Sequence, residues 1–130
     1  MVKFAYTILY VSDVDQALTF YEKAFGFQRK FISPQQDYAE LISGETTLSL
    51  ASKKLAATNL PTGFIESRLN EKPFAIELGF TTDEVDNTIA QALKAGAVLV
   101  EKPKQKPWGQ TVAYLRDLDG FLIEICTPMG

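Results

Sequence analysis

The sequence predicts an α+β fold built from two β-α-β-β-β modules, and three observations carry that prediction. Each half has an amphipathic helix closed by a glycine. Val14, Ala17, Leu18, Tyr21 and Phe25 repeat at spacings of three and four before Gly26, and Val85, Ile89, Ala92 and Leu93 do so before Gly96. The halves also correspond at one offset: Val14-Asp15 matches Val85-Asp86, Leu18 matches Ile89, and Lys23-Ala24 matches Lys94-Ala95. Finally, each helix is flanked by one strand-like run before it and three after it. Such a unit leaves one sheet face uncovered by its helix, so two of them are expected to enclose a central cavity.

Taken in order, Lys3 to Val11 reads as a strand, and Ser12-Asp13 as the cap of the first helix. Phe27 to Ile32 is a second strand, Ser33-Pro34-Gln35-Gln36 a turn, and Tyr38 to Ile42 with Thr46 to Ala51 a hairpin around Gly44. The first module covers about 1–52. A segment of about 53–72 connects it to the second, with a short helical turn at Lys54 to Ala57. Its length suggests a spanning or lid-like role. The second module, about 73–130, restarts with a strand at Phe74 to Phe80. Thr81-Thr82-Asp83-Glu84 resembles a capping box, and Ala97 to Val100 is a further strand. Thr111 to Leu115 and the run ending at Ile125 form the last hairpin, with Asp119-Gly120 as its turn signal. On its second strand Glu124 sits between Ile123 and Ile125, so the carboxylate points to the opposite face from both.

Composition narrows the function classes. At 130 residues with 46 % apolar content this is one domain with a real core. No apolar run reaches the about 18 residues of a membrane span. Met1-Val2-Lys3-Phe4 enters a strand at once without a signal-peptide layout, so a cytoplasmic location is expected. A net charge of −3 argues against a nucleic-acid surface. Lys102, Lys104 and Lys106, beside Glu101 and broken by Pro103 and Pro107, read as a solvated loop. The chain has no histidine, which excludes His-based metal sites and Ser-His or Cys-His nucleophile systems. The single cysteine, Cys126, excludes an internal disulfide and reads as a buried core thiol.

Tyr10-Val11-Ser12-Asp13-Val14, then Ala17-Leu18-x-Phe20-Tyr21 and Phe25-Gly26-Phe27, resembles the opening of the vicinal oxygen chelate superfamily, the group of glyoxalases, bleomycin-resistance proteins and extradiol dioxygenases. Pro107-Trp108-Gly109-Gln110 followed by Arg116-Asp117-Leu118-Asp119-Gly120 and Ile123-Glu124-Ile125 resembles its C-terminal signature. The resemblance covers nearly the whole chain and implies a cupped mixed sheet around the cavity. It also implies a divalent metal on four inward side chains. By position these fall at Tyr6, at or near Ser49, at or near Ala75, and at Glu124. Only Glu124 keeps a usual ligand type, so no metal cofactor is expected. Glu77, on the strand face of Ala75, joins Glu124 and offers at most a weak oxygen-only Mg²⁺ site.

What remains is a choice between function classes. The first is a metal-free binding protein resembling the bleomycin-resistance branch, which implies sequestration of a cationic drug, often by a dimer. Tyr6, Tyr10, Tyr38 and Trp108 would stack on the ligand, Ser49 would line the site, and Glu77, Glu124 and Glu40 would meet its charge. The alternative is a lyase or isomerase of the glyoxalase type acting on a small carbonyl compound. There Glu124 or Glu77 is the general base, its pKa raised by desolvation, and Tyr6 donates to a developing enolate. A third class, an interaction subunit without a small ligand, is disfavoured by the 12 % aromatic content and the expected cavity. A homodimer binding a small molecule is the expected assembly.

Overall fold

A computed structural model describes residues 1–129, in two compact units. The first is Met1–Glu66 and the second begins at Ser67. Each holds one four-stranded mixed sheet.

In the first unit the elements run β1 (Thr7–Val11), α1 (Val14–Phe25), β2 (Gln28–Ile32), β3 (Tyr38–Ser43), β4 (Thr46–Ser52) and α2 (Lys53–Asn59). The sheet order is β1-β4-β3-β2, with β1 parallel to β4 and the rest antiparallel. Asp13 caps α1, accepting from the Gln16 backbone N–H at 2.9 Å, and Gly26 ends it at φ 74°, where a side chain would be strained. Leu18 and Tyr21 of α1 are fully buried, as are Leu41 of β3 and Leu50 of β4. β1 begins four residues later than the sequence suggests. Among the described residues its partner is β4, and their ladder begins at Thr7 opposite Leu48.

The second unit runs β5 (Glu77–Thr81), α3 (Val85–Ala95), β6 (Val98–Gln105), β7 (Thr111–Arg116) and β8 (Leu122–Cys126), in sheet order β5-β8-β7-β6 with β5 parallel to β8. β5 also starts later than expected, where the parallel ladder to Leu122 begins. Phe74, ahead of it, packs edge-on against Phe121 with ring centroids 6.1 Å apart. The expected capping box does not form. Glu84 is the N-cap without a side-chain cap bond, and Thr82 Oγ1 instead accepts from the Glu84 N–H at 3.1 Å. β6 is longer than expected. It carries Lys102 and Lys104, read above as loop, because an edge strand tolerates Pro103 through a register shift between Glu101 and Lys104.

The connecting segment is tied down within each unit. Ser52 caps α2 through the Leu55 N–H at 3.0 Å, Lys53 pairs with Glu66 at 3.0 Å, and Phe64 meets Tyr10 edge-on at 4.9 Å. From Ser67 onward the anchor is Arg116. Its guanidinium is buried and donates only to backbone carbonyls: Gly120 at 2.9 Å, Leu69 at 3.2 Å, Glu71 at 2.7 Å and Arg68 at 2.8 Å. The planar five-donor fork suits a ring of acceptors that an ammonium could not reach together. The turn beside it is wider than a two-residue Asp119-Gly120 hairpin. Asp117, itself buried, accepts from the Asp119 N–H at 3.0 Å and the Phe121 N–H at 2.9 Å, and so rounds the chain over residues 117–121. Gly120, at φ 91°, is required there, because a Cβ would sit 2.8 Å from Arg116 Nη2 and from the Arg68 carbonyl carbon.

Arg116→Met leaves four carbonyls without their donor. The expected loss is about 3 kcal/mol or more in a denaturant titration, with early loss of amide protection at residues 68–71 and only partial recovery in Arg116→Lys.

Candidate functional site

Strand alternation sorts each sheet into two faces. In the first unit Leu9, Leu41, Leu48 and Leu50 face α1, and Ile8, Glu40 and Ser49 stand in one row on the other face. The Tyr38 hydroxyl donates to Glu40 Oε2 at 2.7 Å and lies 3.1 Å from Ser49 Oγ, which is fully buried. Lys30 Nζ approaches Glu40 at 4.0 Å. Burial pushes the Tyr38 phenol up, the Ser49 hydrogen bond opposes this, and the hydrogen bond to Glu40 with the charges of Glu40 and Tyr6 adds to it. Tyr6 stands just ahead of β1 and is half-exposed. Tyr10 is engaged by Phe64.

In the second unit the corresponding face carries the acid pair. Gly79, Glu124, Tyr114 and Glu101 form one row across β5, β8, β7 and β6, with Glu77 two residues before Gly79 and Cys126 two after Glu124. The Tyr114 hydroxyl donates to Glu124 Oε1 at 3.1 Å. Glu77 and Glu124 are hydrogen-bonded to each other and their acidities move apart. Burial raises Glu77, and the hydrogen bond and charge of Glu124 raise it further. Burial works against the Glu124 charge too. It is outweighed by the effects of Cys126, whose thiol donates to the Phe80 carbonyl at 3.8 Å, of Glu77 and Tyr114, and of the nearby Lys106 charge, so Glu124 is lowered. Glu124 is therefore the more acidic member of the pair and Glu77 the less acidic. The donors pay the converse effect. Burial first, then Glu124, pushes Tyr114 up to about 12 and Cys126 up to about 11. A thiol so raised is a hydrogen-bond donor, not a nucleophile.

The lowering of Glu124 runs opposite to the sequence expectation of a desolvated, raised base. Alternation places Tyr114 and Cys126 on its face, and their influence, with that of Glu77 and the Lys106 charge, exceeds the burial cost. The register also moves one position. Tyr6 lies two residues before Ile8, the partner of Ser49, and Glu77 lies two before Gly79, the partner of Glu124. Glu77 rather than Ala75 is thus the counterpart of Tyr6. The offset between the helices already gave this, since it carries Tyr6 onto Glu77.

Of the expected site residues, Tyr38 meets Ser49 in the first unit and Glu77 meets Glu124 in the second. Trp108 stands apart on the β6–β7 loop, 62 % exposed. Its indole N–H donates to Gln110 Oε1 at 2.7 Å, and Gln110 Nε2 donates to the Thr127 carbonyl at 2.7 Å. Sequence reasoning missed Tyr114, Cys126 and Lys106. Cys126 is buried as expected, yet on the face of Glu124, and a step of two along β8 was the available signal.

A divalent metal is the cofactor the resemblance implies, and the donor set does not fit it. Among the described residues no group of three His, Cys, Asp or Glu is placed to hold a metal ion. The two carboxylates of the second unit are engaged with each other and with neutral donors, and Tyr6 and Ser49 offer only hydroxyls. A catalytic site needs about three good protein ligands.

Comparison with known proteins agrees with this architecture. Residues 4–130 match the family model described as a glyoxalase-like domain. The chain is 30 % identical over 118 residues to the uncharacterized protein YraH of Bacillus subtilis, covering 90 % of this chain and 91 % of that one. It is 29 % identical over 122 residues to the virulence protein STM3117 of Salmonella typhimurium, covering 91 % and 78 %. Among solved structures, a glyoxalase-related enzyme from Fulvimarina pelagi superposes with TM-score 0.83 at 20 % identity, covering 98 % of this chain and 89 % of that one, which shows the shared fold. Protein SA1046 of S. aureus superposes with TM-score 0.77 at 29 % identity, covering 98 % and 95 %. With a family model matched across almost its entire length, the chain belongs to the glyoxalase-like domain family of the vicinal oxygen chelate superfamily.

Proposed function

We propose that this protein binds a cationic small molecule without a metal, with Glu124 as the charge that receives it. The single observation that carries this reading is the set of side chains around Glu124: the Tyr114 hydroxyl donates to it at 3.1 Å, and Cys126 and Glu77 join Tyr114 in lowering its pKa. They hold the carboxylate ionised without cancelling its charge, so the face keeps a fixed negative point for a cation. The same surroundings make Glu124 a weaker base than a free carboxylate, which argues against proton abstraction by this residue. Sequestration of a drug-like cation is one use of such a site. The Tyr114 ring, directly opposite Glu124 on β7, supplies apolar surface for the rest of such a ligand within the second unit.

A second reading has one observation in its favour. Glu77 and Glu124 are pushed apart in acidity, the usual mark of an acid and base pair. In a metal-independent lyase or isomerase the proton-transferring group is then Glu77, the raised and more exposed member, not Glu124.

Glu124→Gln is expected to weaken an aromatic ammonium probe by about 1–3 kcal/mol, the cost of losing a charged hydrogen-bond partner, while leaving a neutral isostere unaffected. Calorimetric titration with both probes checks this. The pH profile has a definite sign. Cation affinity rises with pH as Glu124 ionises below the ordinary carboxylate range. It rises again as Glu77 ionises above that range, and Glu77→Gln removes only the second rise. Dialysis against EDTA is expected to leave the affinity unchanged, and its loss on chelation contradicts the metal-free reading. Turnover of a small carbonyl compound that Glu77→Gln abolishes without weakening binding favours the second reading instead.

A further inference from the structure

Lys102, Lys104 and Lys106 have no part in the site as built so far, apart from the charge Lys106 lends to Glu124. With Glu101, Val112 and Tyr114 they line a pocket of about 280 Å³ on the β6–β7 side of the second sheet. At about 30 Å³ per water, that space holds roughly nine waters, enough for one end of a small ligand. Three lysines and one glutamate are among its lining residues, so the pocket carries a net positive charge. Residues from both sides of the register shift between Glu101 and Lys104 line it.

The pocket is continuous with the carboxylate site through Tyr114. This residue lines the pocket, and its hydroxyl reaches Glu124 at 3.1 Å. Glu101, Tyr114 and Glu124 stand opposite one another on three adjacent strands, whose spacing is about 4.8 Å per strand. Glu101 is outnumbered by the three lysines that line the same pocket, so a net positive lining and the Glu124 carboxylate border one tyrosine, within the length of a small molecule. A simple cation at Glu124 meets repulsion from the lysines, and a simple anion among the lysines meets repulsion from Glu124. A molecule carrying both charges is favoured at each end.

Building on the cation-binding reading of Glu124, we propose that the ligand class is amphoteric, with a carboxylate-type anionic group seated among Lys102, Lys104 and Lys106 and a cationic group at Glu124. The apolar body between them lies against Tyr114 and Val112.

Three probes that share one ring separate the contributions: 4-(aminomethyl)benzoate, 4-methylbenzylamine and 4-methylbenzoate. Titrations follow the wild-type protein and the double variant Lys102→Gln with Lys104→Gln. Both lysines are exposed, so the variant keeps its fold, which a thermal melt checks. The zwitterion is expected to bind the wild type at least about tenfold more tightly than 4-methylbenzylamine, the effect of one added charged hydrogen bond. The double variant is expected to lose that advantage while binding 4-methylbenzylamine at least as tightly as the wild type, since two repelling ammonium groups are gone. Equal affinity of the wild type for the two amines overturns the amphoteric inference and leaves the cation reading of Glu124 standing. An advantage that survives in the double variant overturns the lysine assignment. Binding of 4-methylbenzoate as tightly as the zwitterion, or binding of none of the three probes, overturns the inference together with the cation reading.

Discussion

Ile123 and Ile125 are fully buried, and a strand cannot bury both without turning the residue between them to the other face. That constraint on β8 sets the rest of the second unit. It fixes Glu124 on the face turned away from α3, brings Tyr114 of β7 directly opposite, and places Cys126 one pleat along the same face. It also aligns β5, whose parallel pairing seats Gly79 beside Glu124 and leaves Glu77 one step back. A slip of one residue would bury the carboxylate under the helix and expose both isoleucines. Register here is therefore specified by the core, and the polar cluster inherits its geometry from that specification.

The electrostatics follow from the same placement. Two carboxyl groups held together on a partly buried face do not both ionise readily, and the first charge settles where the most hydrogen-bond donors converge. Tyr114 donates to Glu124 at 3.1 Å, whereas Glu77 is raised by burial and by Glu124 itself. The asymmetry of the pair is thus a consequence of which strand each glutamate occupies. β8 is a central strand with neighbours on both sides, and β5 is an edge. The first unit repeats the plan with milder chemistry, since Ser49 takes the place of Glu124 and Glu40 supplies the carboxylate from the neighbouring strand.

Much of this was legible in the sequence, because the signals were periodic. The two amphipathic helices with their glycine stops, the hairpin around Gly44 and the outward turn of Glu124 all rest on spacing alone. Where the reading departed from the structure, the deciding factor was a partner strand or a single hydrogen bond. β1 and β5 are shorter than their apolar runs because pairing ends before the runs do. The Thr81-Thr82-Asp83-Glu84 cap fails because Thr82 binds the backbone first. β6 extends through Lys102 and Lys104 because an edge strand accommodates Pro103. The acidity of Glu124 was misjudged because desolvation is readable from an apolar neighbourhood, whereas Tyr114 of β7 and Glu77 of β5, which with Cys126 outweigh it, are distant in sequence. Membership in the glyoxalase-like family came through clearly from both ends of the chain. The departure from its metal-ligand pattern was equally plain from the absence of histidine.

The most direct measurement is a carboxyl-carbon NMR titration of protein labelled at glutamate side chains, with Glu77→Gln and Glu124→Gln as assignment controls. The expected result is a split pair, Glu124 titrating below the ordinary glutamate value of about 4.3 and Glu77 above it, with each substitution moving the surviving partner back toward that value. Two independent titrations near the ordinary value, or the reverse order, would show that Glu124 is not the fixed charge of the site.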